Sequence, residues 1–152
     1  MAEKALCRRR NGSPVQHVYE EFRRTAENIG VETCAEWCPG GTGFYANAVE
    51  LGQELFRSGR LPTALLSCND VTAFAAVNTA RSAGLRIPDE LSVIGMDNID
   101  MAEYFNPALT TFVFPYKEYI TQVLDVLFAG AKPGCRRLQM PLKIRDSVAV
   151  FK

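Results

Sequence analysis

Few residues that do chemistry are present in this chain of 152 residues. There is one histidine, His17, and 17 basic residues balance 17 acidic ones. The charge balance argues against a strongly electrostatic partner such as a phosphate backbone or an anionic membrane. The only dense basic run is Arg8, Arg9 and Arg10, which has no interleaved aromatic residues and reads as a solvated loop. No apolar run reaches the roughly 18 residues that span a bilayer. The first ten residues lack the charged start and apolar stretch of an export signal, so a cytoplasmic location is expected. The five cysteines, Cys7, Cys34, Cys38, Cys68 and Cys135, are odd in number and irregularly spaced. They are read as reduced, mostly structural thiols, with no metal site expected because Cys34 and Cys38 lie far from the lone histidine.

No enzyme signature is found either. The glycine-rich loop at 39–43 has no lysine to meet a phosphate, and no nucleophile elbow or histidine-paired base is present. The chain is therefore expected to be no enzyme and to need no cofactor.

What is present is an alternation of short apolar runs and helical patterns. Residues 5–8, 31–36, 64–67 and 92–96 read as strands. Between them, apolar residues recur at helical spacing from Val15 to Ile29, from Tyr45 to Phe56, and over about 70–83. Ser13 before Pro14 marks a helix start, Gly30 and Gly84 mark stops, and Asp70 is read as the cap of the third helix. Connections of helical length imply parallel strands with right-handed crossovers. After Asp97 the pattern changes. One helical turn is expected at 101–105, an extended segment at 110–114, a helix at 116–129, and two strand-like pieces at 137–140 and 143–150.

The two central strands end in polar pairs, Asn69 with Asp70 and Asp97 with Asn98. Side chains at the carboxyl ends of buried parallel strands project into the crevice where open α/β sheets bind ligands. An amide donates and accepts at once, while a carboxylate accepts two hydroxyl protons. The pairs thus point to a small polar ligand. Asn98 can equally close a turn.

Several segments taken together resemble the lactose/galactose repressor family. They are Pro62-Thr63-Ala64, Asn69-Asp70, Gly84-Leu85-Arg86-Ile87-Pro88, Ser92-Val93-Ile94-Gly95 with Asp97, Pro107-Ala108-Leu109-Thr110-Thr111 and Arg145-Asp146-Ser147. The resemblance implies a three-layer, doubly wound parallel α/β sheet of the periplasmic-binding-protein-like kind. Residues 1–109 and 136–152 would form the C-terminal lobe of an effector-binding domain, and 110–135 would be a crossover and helix belonging to the other lobe.

It also implies a function: effector binding and dimerisation in a transcriptional repressor, with a sugar-like small molecule held between lobes. DNA would be reached only through a helix-turn-helix, and nothing in this chain reads as one. A sugar-binding transport protein trimmed of its export signal is the competing expectation. By resemblance, the ligand-binding candidates are Asn69, Asp97, Tyr116, Phe44 and Tyr45, although Tyr116 can equally be core. Phe74, Val77 and Asn78 are candidates for a homodimer interface, with Phe74 and Val77 alternatively core. One departure is plain. The family places an arginine four residues before Phe22, where this chain has Val18 beside His17. The helix after 116 would leave an apolar stripe uncovered, which predicts association.

Overall fold

A computed structural model describes residues 4–5, 14–33, 42–130 and 134–150. The element order is β1 (Lys4–Ala5), α1 (Pro14–Asn28), β2 (Glu32–Thr33), α2 (Tyr45–Arg57), β3 (Ala64–Leu66), α3 (Asp70–Ser82), β4 (Ser92–Asp97), α4 (Met101–Tyr104), β5 (Thr110–Val113), α5 (Tyr116–Phe128) and β6 (Leu142–Lys143). β1 and β2 pair in parallel, and β3, β4, β5 and β6 follow in that order in a second sheet. β3, β4 and β5 are parallel, whereas β6 runs antiparallel to β5. β1 lies beside β3, so the two sheets adjoin.

Local signals account for most of these boundaries. Pro14 opens α1, where its missing N–H costs nothing. Gly30, at φ +77°, and Gly84, at φ +87°, turn the chain after α1 and α3 in the left-handed conformation that glycine adopts freely. The core lies between α2, α3, β3 and β4. It includes Leu55, Phe56, Leu65, Ala73, Phe74, Val77, Leu91, Val93 and Leu109. Alanines along α3 let it approach α2 closely, and Gly52 adds to this because a side chain there would press on Thr79.

Several expectations need correction. The expected strand at 137–140 is absent; residues 134–141 follow no regular structure, and β6 (Leu142–Lys143) covers only Lys143 of the piece expected at 143–150. Beyond β6 the chain is tied by isolated bonds rather than a ladder. Val93 N–H donates to Ser147 O at 2.8 Å, and Ser147 Oγ donates to Val93 O at 2.6 Å. Ala149 N–H reaches Ser92 Oγ at 3.1 Å. A strand read from alternation alone cannot anticipate that side chains will replace ladder partners. Arg8–Arg10, Cys7, Cys34, Cys38 and Ser13 lie outside the described residues, as do the expected extensions of β1 to residue 8 and of β2 to residue 36. Cys68 and Cys135 are free, as expected of reduced thiols, and both are exposed.

α5 has no buried residue. Ile120, Leu124, Val126, Leu127 and Phe128, the last at 82%, are all exposed, as the uncovered stripe anticipated.

Candidate functional site

β3 and β4 set the geometry. Their register places Leu66 opposite Ile94, and Ser67 N–H donates to Ile94 O at 2.9 Å. β3 ends at Leu66, and three residues on Asn69 begins the turn into α3, while β4 runs on to Asp97. On the other side Asp97 pairs with Val113 of β5, three residues before Tyr116. β3, β4 and β5 are adjacent and parallel, so their carboxyl ends lie along one edge of the sheet; Asp97 closes β4, and Asn69 and Tyr116 follow β3 and β5 by three residues each.

Asn69, not Asp70, caps α3. Its Oδ1 accepts from Thr72 N–H at 2.8 Å and from Thr72 Oγ1 at 2.9 Å, and its Nδ2 donates to Gly43 O at 3.0 Å. The acceptor end of this amide is therefore committed, and one N–H remains for any ligand. The bond to Gly43 also ties the strand end to the start of α2, where Phe44 is 73% and Tyr45 41% exposed. Tyr45 is held in turn, since Asn78 Nδ2 donates to its hydroxyl at 2.9 Å. Tyr116 is 62% exposed, which removes the core alternative; its ring lies 4.8 Å from that of Phe114.

Asp70 has a different task from the capping expected of it. It is fully buried, with Oδ1 accepting from Thr111 Oγ1 at 2.5 Å and Oδ2 from Ile99 N–H at 2.9 Å. Gly95 makes this possible, because a Cβ there would collide with the Asp70 carboxylate and lie 2.9 Å from Leu109 Cδ2. A buried carboxylate with two donors is a joint between α3, β5 and the turn after β4.

Asp97 is only partly enclosed, and no donor among the described residues reaches its carboxylate within hydrogen-bonding distance. Burial, and secondarily the charge of Asp70, hold its carboxyl above the usual aspartate range. Its backbone sits at φ +123° and that of Asn98 at φ +54°. Asparagine tolerates the left-handed region; an aspartate at +123° is strained and must be held there by its surroundings. An under-used carboxylate on strained backbone at the carboxyl end of a central strand is well placed to accept hydroxyl protons from a ligand.

The remaining expected residues separate. Phe74 (7% exposed) and Val77 (fully buried) belong to the chain's own core and cannot face a partner subunit; Asn78 alone of the three is exposed. Val18, where the family places an arginine, is exposed on α1, and the side chain of His17 is outside the described residues. No group of three or more potential metal ligands exists among the described residues.

Sequence reasoning missed the part played by Arg145, Thr111 and Asn98. Arg145 Nη1 donates to Leu109 O at 2.6 Å and Nη2 to Asn98 Oδ1 at 2.8 Å, with its side chain only 9% exposed. Thr111 Oγ1 accepts from Asn98 N–H at 3.3 Å. A glycine inside an apolar strand was the available signal, since Gly95 marks a close approach by something polar.

With this geometry in place, residues 3–148 match the model of the periplasmic binding protein-like domain. The chain belongs to that family. Among its curated relatives are the HTH-type transcriptional repressors PurR of Photobacterium profundum (33% identical) and of Vibrio vulnificus (32% identical), each matched over 86% of this chain. The match covers 37% and 36% of those proteins, so the chain spans little more than a third of their length. Of solved structures, a sugar-binding transcriptional regulator of the LacI family from Escherichia coli, complexed with phosphate, superposes with a TM-score of 0.82 at 25% identity, over 96% of this chain and 54% of that one. The E. coli transcriptional repressor ascG gives 0.80 at 25% identity, over 97% and 56%. The expected periplasmic-binding-protein-like α/β fold and the kinship with LacI-type repressors are both borne out. The relatives are repressors, and the transport reading draws no support from them.

Proposed function

We propose that this chain is the effector-binding and self-associating part of a LacI-type transcriptional repressor, working in the cytoplasm. A small neutral molecule rich in hydroxyls, sugar-like in character, is received at the rim formed by Asp97, Asn69, Phe44, Tyr45 and Tyr116. The observation that carries this reading is the Asp97 carboxylate at the end of β4, half-buried and without a partner among the described donors. The exposed aromatics supply the apolar faces on which a sugar ring packs. The sugar-binding regulator at 25% identity supports the ligand class.

Residues 110–135 belong, in this reading, to a crossover and a helix that serve a second lobe, and α5 is the helix left without its cover. The ligand acts by favouring one arrangement of the lobes, which alters DNA affinity elsewhere in the protein. With half a cleft, affinity in this chain is weak.

The test is a two-dimensional NMR titration of the 152-residue chain with D-ribose and D-glucose at tens of millimolar. Shifts should concentrate at residues 43–45, 69, 97 and 116 and disappear in Asp97→Ala. Shifts scattered over α1 and α3, or undiminished in Asp97→Ala, would overturn the assignment. Self-association through α5 predicts that Leu127→Glu lowers the mass measured by light scattering.

A further inference from the structure

The turn that leaves β4 is held from two directions. From α3, Asp70 takes the Ile99 N–H on one oxygen and the Thr111 hydroxyl on the other, and Thr111 accepts the Asn98 N–H. From the far end of the chain comes Arg145. Its guanidinium donates at one end to the carbonyl of Leu109, in the loop before β5, and at the other to the Asn98 carboxamide. Its backbone N–H is spent on Thr110 Oγ1 at 2.9 Å. A planar fork bound at both ends ties the two segments rigidly, which a lysine could not do.

Asp97 directly precedes this anchored residue, on backbone that disfavours any side chain. Arg145 forms no ion pair with it; the carboxylate nearest the guanidinium is Glu103 of α4, at 4.0 Å, which Lys143 also approaches at 3.6 Å. The charged groups around Asp97 are therefore Asp100 in the turn itself, Asp70 from α3, Glu103 from α4, and Lys143 and Arg145 from the closing segment. The network holds the turn without occupying the Asp97 carboxylate.

We propose that Arg145 is a positioning residue for Asp97. Through Asn98 it keeps the turn in its left-handed form, and so fixes the direction in which the carboxylate meets a ligand. The proposal rests on the reading of Asp97 as a ligand group, and its test separates the two.

The experiment is NMR on the isotopically labelled 152-residue chain. It follows the backbone HN–Hα coupling of Asp97, which reports φ, and the titration of its carboxyl carbon. In Arg145→Met, which keeps most of the apolar stem, the coupling rises toward the large value of extended backbone. The carboxyl midpoint falls toward that of an ordinary aspartate, because the group swings into water and away from Asp70. The sign is diagnostic: loss of a nearby cation alone would raise the midpoint. An unchanged coupling, or a midpoint that rises, overturns the proposal.

Asn98→Gly provides a second route, since it tolerates the left-handed conformation and leaves the Arg145–Leu109 bond in place; it should shift both readouts in the same directions. Asn98→Asp keeps an acceptor for the guanidinium and should preserve the coupling. Adding D-ribose or D-glucose to the unsubstituted chain tests the ligand reading separately. If neither sugar shifts Asp97 while Arg145→Met still alters its coupling, the ligand role falls and the positioning role stands. If the sugars shift Asp97 and the coupling ignores Arg145, only the positioning role falls.

Discussion

α3 and α5 are each 13 residues long, and they have opposite fates. α3 buries eight residues, half of them alanines, while α5 carries larger apolar side chains and buries none. Apolar content therefore does not decide burial here; the presence of a surface to pack against does. The ends differ too. Asn69 satisfies orphan donors at the start of α3, whereas Pro115 at the start of α5 makes no side-chain cap. α3 is packed into the core, and α5 leaves its apolar side chains exposed.

The sharpest test sets Leu109→Ala against Leu127→Ala. Leu109 is fully buried in the core beside Gly95 of β4, and its truncation should cost about 2–5 kcal/mol in denaturant unfolding. Leu127 is 65% exposed, and its loss should stay within about 0.5 kcal/mol. Comparable costs at the two positions would mean that α5 is packed in solution, and the contrast would be broken.

Gly95→Ala follows in size. The added methyl must displace the Asp70 carboxylate or Leu109, with an expected loss of about 1–3 kcal/mol by chemical denaturation. A neutral result would show that the joint at Asp70 is loose. Asn69→Ala removes the cap of α3 and should cost about 1 kcal/mol, with little change if the cap is dispensable.

The smallest effect is one of sign. The Asp97 carboxyl is held high by burial first and by Asp70 second, so the folded state binds that proton more tightly than the unfolded chain does. Its contribution opposes folding once the pH has risen through the raised value, and vanishes below the ordinary aspartate range. Asp97→Asn should therefore raise the melting midpoint modestly at pH 7, with the difference fading in acid. A variant that is less stable at pH 7 would mean that the carboxylate has a favourable partner after all.

How far these features could be read from the residues varied with their range. The alternation of apolar runs and helical spacing located α2, α3, β3, β4 and α5 to within a residue or two, because each element's pattern is local. Asn69 and Asp97 were placed at strand ends for the same reason. The cap of α3 was assigned one residue too late, since Asn69 and Asp70 are both good caps and only the burial of Asp70 decides between them. Phe74 and Val77 could not be divided between core and interface without knowing which face of α3 meets β4.

Local chemistry alone determined that this chain alternates strands and helices, ends its central strands in polar residues, and carries a helix too apolar for the neighbours it has. The tertiary structure decided what each polar residue does. Asp70 became a buried joint because Gly95 leaves room for its carboxylate and because Thr111 and Ile99, far along the chain, aim donors at it. Asp97 keeps its carboxylate unengaged, while its neighbour Asn98 spends its side-chain oxygen on Arg145, 47 residues on, and its backbone N–H on Thr111. Hydrogen bonds between distant residues leave no periodicity in a sequence, so they become visible only when the fold brings their ends together.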